Sequence, residues 1–423
     1  MSIAKADPVD VDLSDPEFWG RPIAERDALF ARLRKEEPFA FYAEPELPFI
    51  ERGAGYYAVV RHADVDAISN QPELFCSGKG AVSISDLPAE LVEFYGSLIS
   101  MDDPRHAKIR RIVSRAFTPR MLESVVERVE TLTVQILTRA RAVAEEGDGT
   151  FDFVREFAAP LPLMVICKMM GIPEEDHQLV LEKSNIILSG GDPELSSPEE
   201  AFGLILEAGA ALSDLMQRLA AERTAHPTDD LTSALVTTEI DGESLSLQEI
   251  ASFFILLCVA GNETTRTAIT QGLYALHLHP EQRASWAADP TRTKTAVEEI
   301  VRWASPVIWM RRTATEDVVL SGRQFRAGDK FLLFYNSANR DEEVFSGADT
   351  FDLRREHNPH LGFGAPGPHF CLGANLARRE IAVAFEAIFR HLPDLEVIGE
   401  PDRLRSSFVN GIKRLPVRLI GRP

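Results

Sequence analysis

Apolar residues recur every three to four positions along most of this chain, and that spacing predicts helices. A first helix is expected over 23–37, where Pro38 stops it. Two short β-like runs follow, 39–43 and 56–60, and residues 71–101, rich in small and turn-forming side chains, read as loop. Helical patterns then occupy 104–117, 119–146, 155–171, 174–189, 198–225 and 228–238, separated by Pro or Gly. Ser246 and Glu249 make a capping box before a long apolar helix that should run to about His279. At ~1.5 Å per residue that helix is about 50 Å long, enough to cross a domain. A further helix, 291–304, ends before Pro306, and β-like pieces follow at 307–313, 317–320 and 329–334. An irregular stretch, 341–370, leads to a last helix at 372–391, with Ile381, Phe385, Ile388, Phe389 and Leu392 on one face. No Ser/Gly-rich linker and no repeat divides the chain. The expectation is one mainly α domain with minor β over residues 1–423, its first 22 residues forming an extended segment.

Charge narrows the partners. Lys and Arg number 45 against 65 Asp and Glu, a formal net charge of -20, which argues against nucleic acid or an anionic membrane as main partner. Four cysteines at 76, 167, 258 and 371 form no CxxC pair, so neither a disulfide framework nor a zinc site is expected. The acidic, polar N-terminus is no signal peptide, and the longest apolar run, 251–261, is too short for a membrane span. A cytoplasmic location is expected.

Three segments carry chemistry. In GFGAPGPHFCLG, 362–373, Cys371 stands at the edge of the last helix, where unpaired amides and the helix dipole favour a thiolate. A thiolate of this kind can ligate haem iron, although a lone cysteine at a helix start is more often a small buried apolar side chain. The Gly362-x-Gly364-x-x-Gly367 spacing is not read as a dinucleotide site, because no βαβ unit surrounds it and Pro366 and Pro368 remove two amide donors. Within the long helix, Gly261, Asn262, Glu263, Thr264 and Thr265 interrupt an apolar run. An acid beside a hydroxyl can relay protons, and Gly261 would allow a ligand to come close; the bland alternative is a helix emerging into water. Glu299 and Arg302 share a helix face, with Arg355 available to complete a buried triad. Residues 104–122 carry six Lys/Arg and no acid, which suits either a solvated face or a docking site for an acidic partner.

Together these residues resemble the cytochrome P450 family of haem-thiolate monooxygenases, and the resemblance covers essentially the whole chain. AGNETT is similar to that family's oxygen-activation motif, Glu299-x-x-Arg302 to its ExxR motif, and GFGAPGPHFCLG to its haem loop. The resemblance implies a mostly helical fold with one haem b (iron protoporphyrin IX). Cys371 would be the axial thiolate, and Thr264 with Glu263 would deliver protons to dioxygen. His106, Arg110, Arg312 and His369 would bind the propionates, with Ala260, Phe363 and Gly373 also against the cofactor. Glu299, Arg302 and Arg355 would be structural. Two departures stand out: Phe363 lies eight residues before Cys371, one more than usual, and Glu263 replaces the commoner Asp.

EIASFFILLCVAGNETTR, AVEEIVRWASPVIWMRRT and FVNGIKRLPV further resemble a mycobacterial-type branch that oxidises terminal methyl groups of branched lipids, isoprenoids and sterol side chains. An apolar substrate with a branched end is expected. The pocket candidates are Val82, Ile84 and Leu98 before residue 101, and Leu257 with Ala260 on the long helix. Val307, Ile308 and Met310 after it, and Phe408 and Val409 near the end, complete them. Electrons would come singly from a ferredoxin docked around Lys108, Arg111 and Arg115, supplied by a separate NAD(P)H-dependent ferredoxin reductase. The rival readings are a peroxide-driven haem-thiolate enzyme and a non-catalytic haem sensor or ligand-binding protein.

Overall fold

A computed structural model describes residues 11–47, 50–116, 119–189, 194 and 197–420. Helices dominate, and the longest, Leu247–Leu278, runs through the main apolar core. Its start follows the capping chemistry: Ser246 Oγ accepts from the Glu249 amide at 3.2 Å, and Glu249 Oε2 accepts from the Ser246 amide at 2.9 Å. Phe253, Phe254, Ile255 and Cys258 are buried all round, as a helix through a core requires. Packed on it are Pro160–Met170, Pro198–Ala225, Thr293–Ala304 and Ala374–His391. No helix among the described residues is long and apolar enough to cross a membrane.

A second, smaller core lies around a five-stranded sheet ordered Phe39–Tyr42, Tyr56–Val59, Lys330–Phe334, Trp309–Ala314 and Phe75–Cys76. Only the Tyr56–Val59/Lys330–Phe334 pair is parallel, with Ala58 opposite Leu332. In the antiparallel pair beside it, Arg311 faces Leu332 and Thr313 faces Lys330. A three-stranded sheet joins Thr150–Asp152, Pro416–Leu419 and Leu395–Val397, and all three strands lie where the sequence pattern predicted none.

Helices that were not anticipated include His62–Ser69, Ala89–Gly96 and Pro280–Ala288. The first two have eight residues each, too few turns for a periodic stripe, and neither has a side-chain cap. The 71–101 stretch is therefore partly helical, with Ser97–Ser100 adding a 3₁₀ turn. Pro280 ends the long helix and opens the next one at its first position, where its missing N–H costs nothing. The N-terminal segment expected to be extended instead contains a helical turn, Pro16–Trp19. Asp15 caps it, and it buries Phe18 and Trp19.

Glu380, on the last helix, is buried, and that burial pushes its carboxyl up to about 8. In the unfolded chain the group ionises near 4.5, so folding binds a proton between the two values. Stability is intact below the unfolded value and falls as pH rises from about 4.5 towards 8. Glu380→Gln should remove this slope. Urea midpoints are expected to show the variant gaining on the wild type at about pH 8.5 and not at pH 4. Parallel curves across that range would remove Glu380 as the source.

Candidate active site

Cys371 is held by its loop rather than by the helix after it. Its amide donates to the Phe363 carbonyl at 3.0 Å, so the extra residue between them is absorbed inside a closed turn. Gly364 (φ +82°) and Gly367 (φ +138°) supply backbone conformations closed to most L-residues. At Gly367 a Cβ would stand 2.5 Å from the Ser69 carbonyl, so the loop also passes too close to the His62–Ser69 helix for any side chain. Burial pushes the Cys371 thiol up, against the Gly373 amide and the Arg110 and Arg378 guanidiniums, which pull it down. The helix start alone therefore does not make a thiolate here. A coordinated metal would, because a ligating thiol is deprotonated outright.

Beside the cysteine loop four nitrogen side chains converge. Arg110 Nη2 donates to the Phe370 carbonyl at 2.5 Å. The His106 and His369 rings lie 4.3 Å apart, and His106 Nε2 and His369 Nδ1 are buried without partners. Arg312 is buried, with Nη1 on the Arg311 carbonyl at 2.8 Å. Burial, then Arg312, His106 and Arg110, drive the His369 imidazole down to about 2. Orphaned ring nitrogens beside two guanidiniums are costly unless an anion joins them. The two carboxylates of a haem b would fit this donor set, and Cys371 would be the ligand for its iron.

On the long helix, Thr264 Oγ1 donates back to the Ala260 carbonyl at 2.6 Å and is half-buried. Glu263 is turned away from it into the interior, ion-paired with Arg266 and accepting from Thr267 Oγ1 at 3.2 Å. The acid and the hydroxyl are thus sequence neighbours that do not touch. Arg266 in turn reaches Asn185 Oδ1 at 3.3 Å on the His177–Ser189 helix. The Glu263–Arg266 spacing was visible in the sequence; its burial was not. Asn262 is fully buried with neither amide atom paired. Gly261 serves packing rather than ligand approach: a Cβ there would meet Ile166 Cδ1 at 3.0 Å.

Glu299, Arg302 and Arg355 come together. Arg302 makes a bidentate pair with Glu299 (2.8 and 2.7 Å), both side chains being wholly buried. Its remaining N–H groups donate to the carbonyls of Asn339, Ala348 and Thr350, and Arg355 Nε reaches Glu299 Oε2 at 3.2 Å. A second cluster escaped the sequence reading. Burial pushes the Glu298 carboxyl up, but His360 (2.9 Å) and Arg378 (2.6 Å) outweigh it and hold the group at about 2. Arg378 also stacks 4.3 Å above the Phe363 ring, so this cluster braces the cysteine loop.

The pocket candidates divide. Val82, Val307, Met310 and Leu257 are half-buried, and Val307 bridges Val409 across an isolated antiparallel contact. Leu98 belongs to the main core. Ile308 is 1% exposed and belongs to the core cluster with Trp309, Leu332 and Phe334. Phe408 stacks edge-on to Trp309 at 5.1 Å. The basic face also differs from expectation. Lys108 is ion-paired with Glu243, and Arg111 with Asp241 at 2.6 Å, while Arg115 is exposed. These acids sit on the turn between Leu231–Thr237 and the long helix, where the sequence interval hides their proximity.

Comparison with known proteins agrees with this arrangement. The family profile described as Cytochrome P450 matches residues 90–285 and 291–410. A methyl-branched lipid omega-hydroxylase of Mycobacterium tuberculosis (strain H37Rv) is 49% identical over 409 residues, covering 96% of this chain and 94% of that protein. A steroid C26-monooxygenase of Rhodococcus jostii is 40% identical, covering 97% and 85%. A Mycobacterium marinum cytochrome P450 solved in complex with pseudoionone superposes with a TM-score of 0.92 at 40% identity, over 98% of this chain and all of that one.

Proposed function

Because this chain belongs to the cytochrome P450 family and is a haem-thiolate monooxygenase, we propose that it hydroxylates the terminal methyl of a methyl-branched lipid, isoprenoid or sterol side chain. The observation that carries this reading is the 49% identity, along 96% of the chain, to a methyl-branched lipid omega-hydroxylase. The half-buried apolar residues Val82, Leu257, Val307 and Met310 support it.

Cys371 would ligate the iron of a haem b, and His106, Arg110, Arg312 and His369 would hold its propionates. When bound, the haem activates dioxygen and inserts one of its atoms into a C–H bond, chemistry that belongs to the cofactor. The protein supplies position and protons. Thr264 Oγ1 has its proton on the Ala260 carbonyl and passes it on by rotating about χ1. Arg266 and Thr267 engage Glu263 in the interior, so Glu263 takes part only when those contacts open. Apolar walls exclude water and leave the substrate's end as the part within reach. Electrons are proposed to arrive from an acidic ferredoxin at the face that includes Arg115.

The test is turnover of the haem-loaded protein with ferredoxin, its reductase and a panel of methyl-branched fatty acids, isoprenoids and sterols. A terminal alcohol is expected. Oxidation confined to internal carbons, or turnover with hydrogen peroxide and none with ferredoxin, overturns the reading. Thr264→Ala should leave substrate binding intact and divert electrons to hydrogen peroxide. Product formed per NADPH is expected to fall steeply, because a positioned proton donor contributes about 10²–10⁴-fold. Unchanged coupling would remove Thr264 from proton delivery.

A further inference from the structure

Residues 81–86, which carry the pocket candidates Val82 and Ile84, are held by side chains that no motif predicts. Arg311 Nη1 donates to three consecutive carbonyls, Ser83 (3.2 Å), Ile84 (3.2 Å) and Ser85 (3.4 Å). In an extended strand successive carbonyls point to opposite sides, so this convergence requires the segment to curl around the guanidinium. The Arg311 amide adds a bond to the Ala81 carbonyl at 2.8 Å.

Charge closes the curl. Asp86 receives Arg311 Nη2 at 2.5 Å on one oxygen and Lys330 Nζ at 2.9 Å on the other. Lys330 also donates to Glu44 Oε1 at 2.7 Å, and both of those side chains are buried. The cluster therefore balances two cations with two carboxylates. Arg311, Thr313 and Lys330 share one face of the sheet, by strand alternation and by cross-strand register. Arg312, the next residue, points to the other face, into the cation group beside His106 and His369. One strand thus ties the proposed cofactor anchor to the 81–86 segment.

We propose that the Arg311–Asp86–Lys330–Glu44 cluster is a clamp that positions the 81–86 segment and so sets which carbon of the substrate is oxidised. This rests on the function proposed above. A terminal methyl has a stronger C–H bond than the carbons beside it, so selectivity for it comes from position, and a wall displaced by about 1 Å is enough to lose it. Arg311 and Asp86 are then positioning residues.

Two variants test the clamp in the haem-loaded protein. Asp86→Asn alters a side chain that is 62% exposed and keeps an acceptor oxygen for the buried Arg311 while removing the charge. Arg311→Lys keeps the charge and loses the planar fork. Amide hydrogen exchange over 81–86 is expected to quicken by about tenfold in each. The distribution of oxidised positions should shift from the terminal carbon inward, on whichever substrate the wild type turns over, with the reduced carbon monoxide spectrum unchanged. Exchange that stays at the wild-type rate in Asp86→Asn overturns the clamp, as does faster exchange with the same product distribution. If the wild type itself makes no terminal alcohol, the proposed function fails. The clamp then still stands or falls on the exchange rates and on the shift in whatever distribution the wild type gives.

Discussion

Cys371→Ser is expected to give a folded protein without the red-shifted carbon monoxide band of a thiolate-ligated haem, and with ferredoxin-supported turnover at the level of the enzyme-free control. The loop around the residue is fixed by backbone: the 371 amide on the Phe363 carbonyl, the Phe370 amide on Gly367 and the Gly364 amide on Leu361. Serine preserves each of these bonds, so circular dichroism should not change. What is lost is the sulfur's electron donation to iron, which favours O–O cleavage. The hydroxyl ionises far too weakly to replace it. Haem is expected to be retained in part, because the His106, His369, Arg110 and Arg312 donors that would hold its propionates are intact. A variant that kept both the spectrum and the turnover would show that the ligand is another residue.

Glu299→Gln is expected to be the most damaging change away from the cysteine. Glu299 accepts from Arg302 twice, from Arg355, from the Asn358 amide group and from the Asp352 backbone amide. Gln offers one acceptor oxygen and turns an NH₂ towards these donors. Removing one partner of a buried ion pair costs ~3–5 kcal/mol, because the other charge is left uncompensated. That is a large part of a total stability of about 5–15 kcal/mol. Low soluble yield, a lowered urea midpoint and weak haem retention are expected together. The damage should reach the cysteine loop through Asn358, which lies just ahead of it. A variant of wild-type stability would make the pair dispensable.

Much of this was legible from local chemistry. The capping box at Ser246 and Glu249 placed the long helix because both partners lie within one turn. Cys371, Glu263 and Glu299 were legible because their motifs are contiguous or one turn apart. The failures share a cause, which is distance along the chain. Asp241 and Glu243 meet the basic helix from some 130 residues away. The Arg311 clamp joins positions 225 to 286 residues apart, and nothing in IWMRRT distinguishes the arginine that faces the cations from the one that holds a loop. Glu298 was passed over beside Glu299, because its partners His360 and Arg378 are 62 and 80 residues further on. Short helices were missed for the opposite reason: eight residues give too little pattern to read.

The Asp241–Glu243 turn bears on how an electron carrier would come and go. With Lys108 and Arg111 already engaged, an acidic protein arriving there trades one set of carboxylates for another instead of neutralising bare cations. Such an exchange changes the number of ion pairs little, so it releases little free energy and depends on salt less steeply than the count of basic residues suggests. A short-lived encounter results. That would suit the proposed ferredoxin, which would deliver one electron at a time and leave the surface between visits.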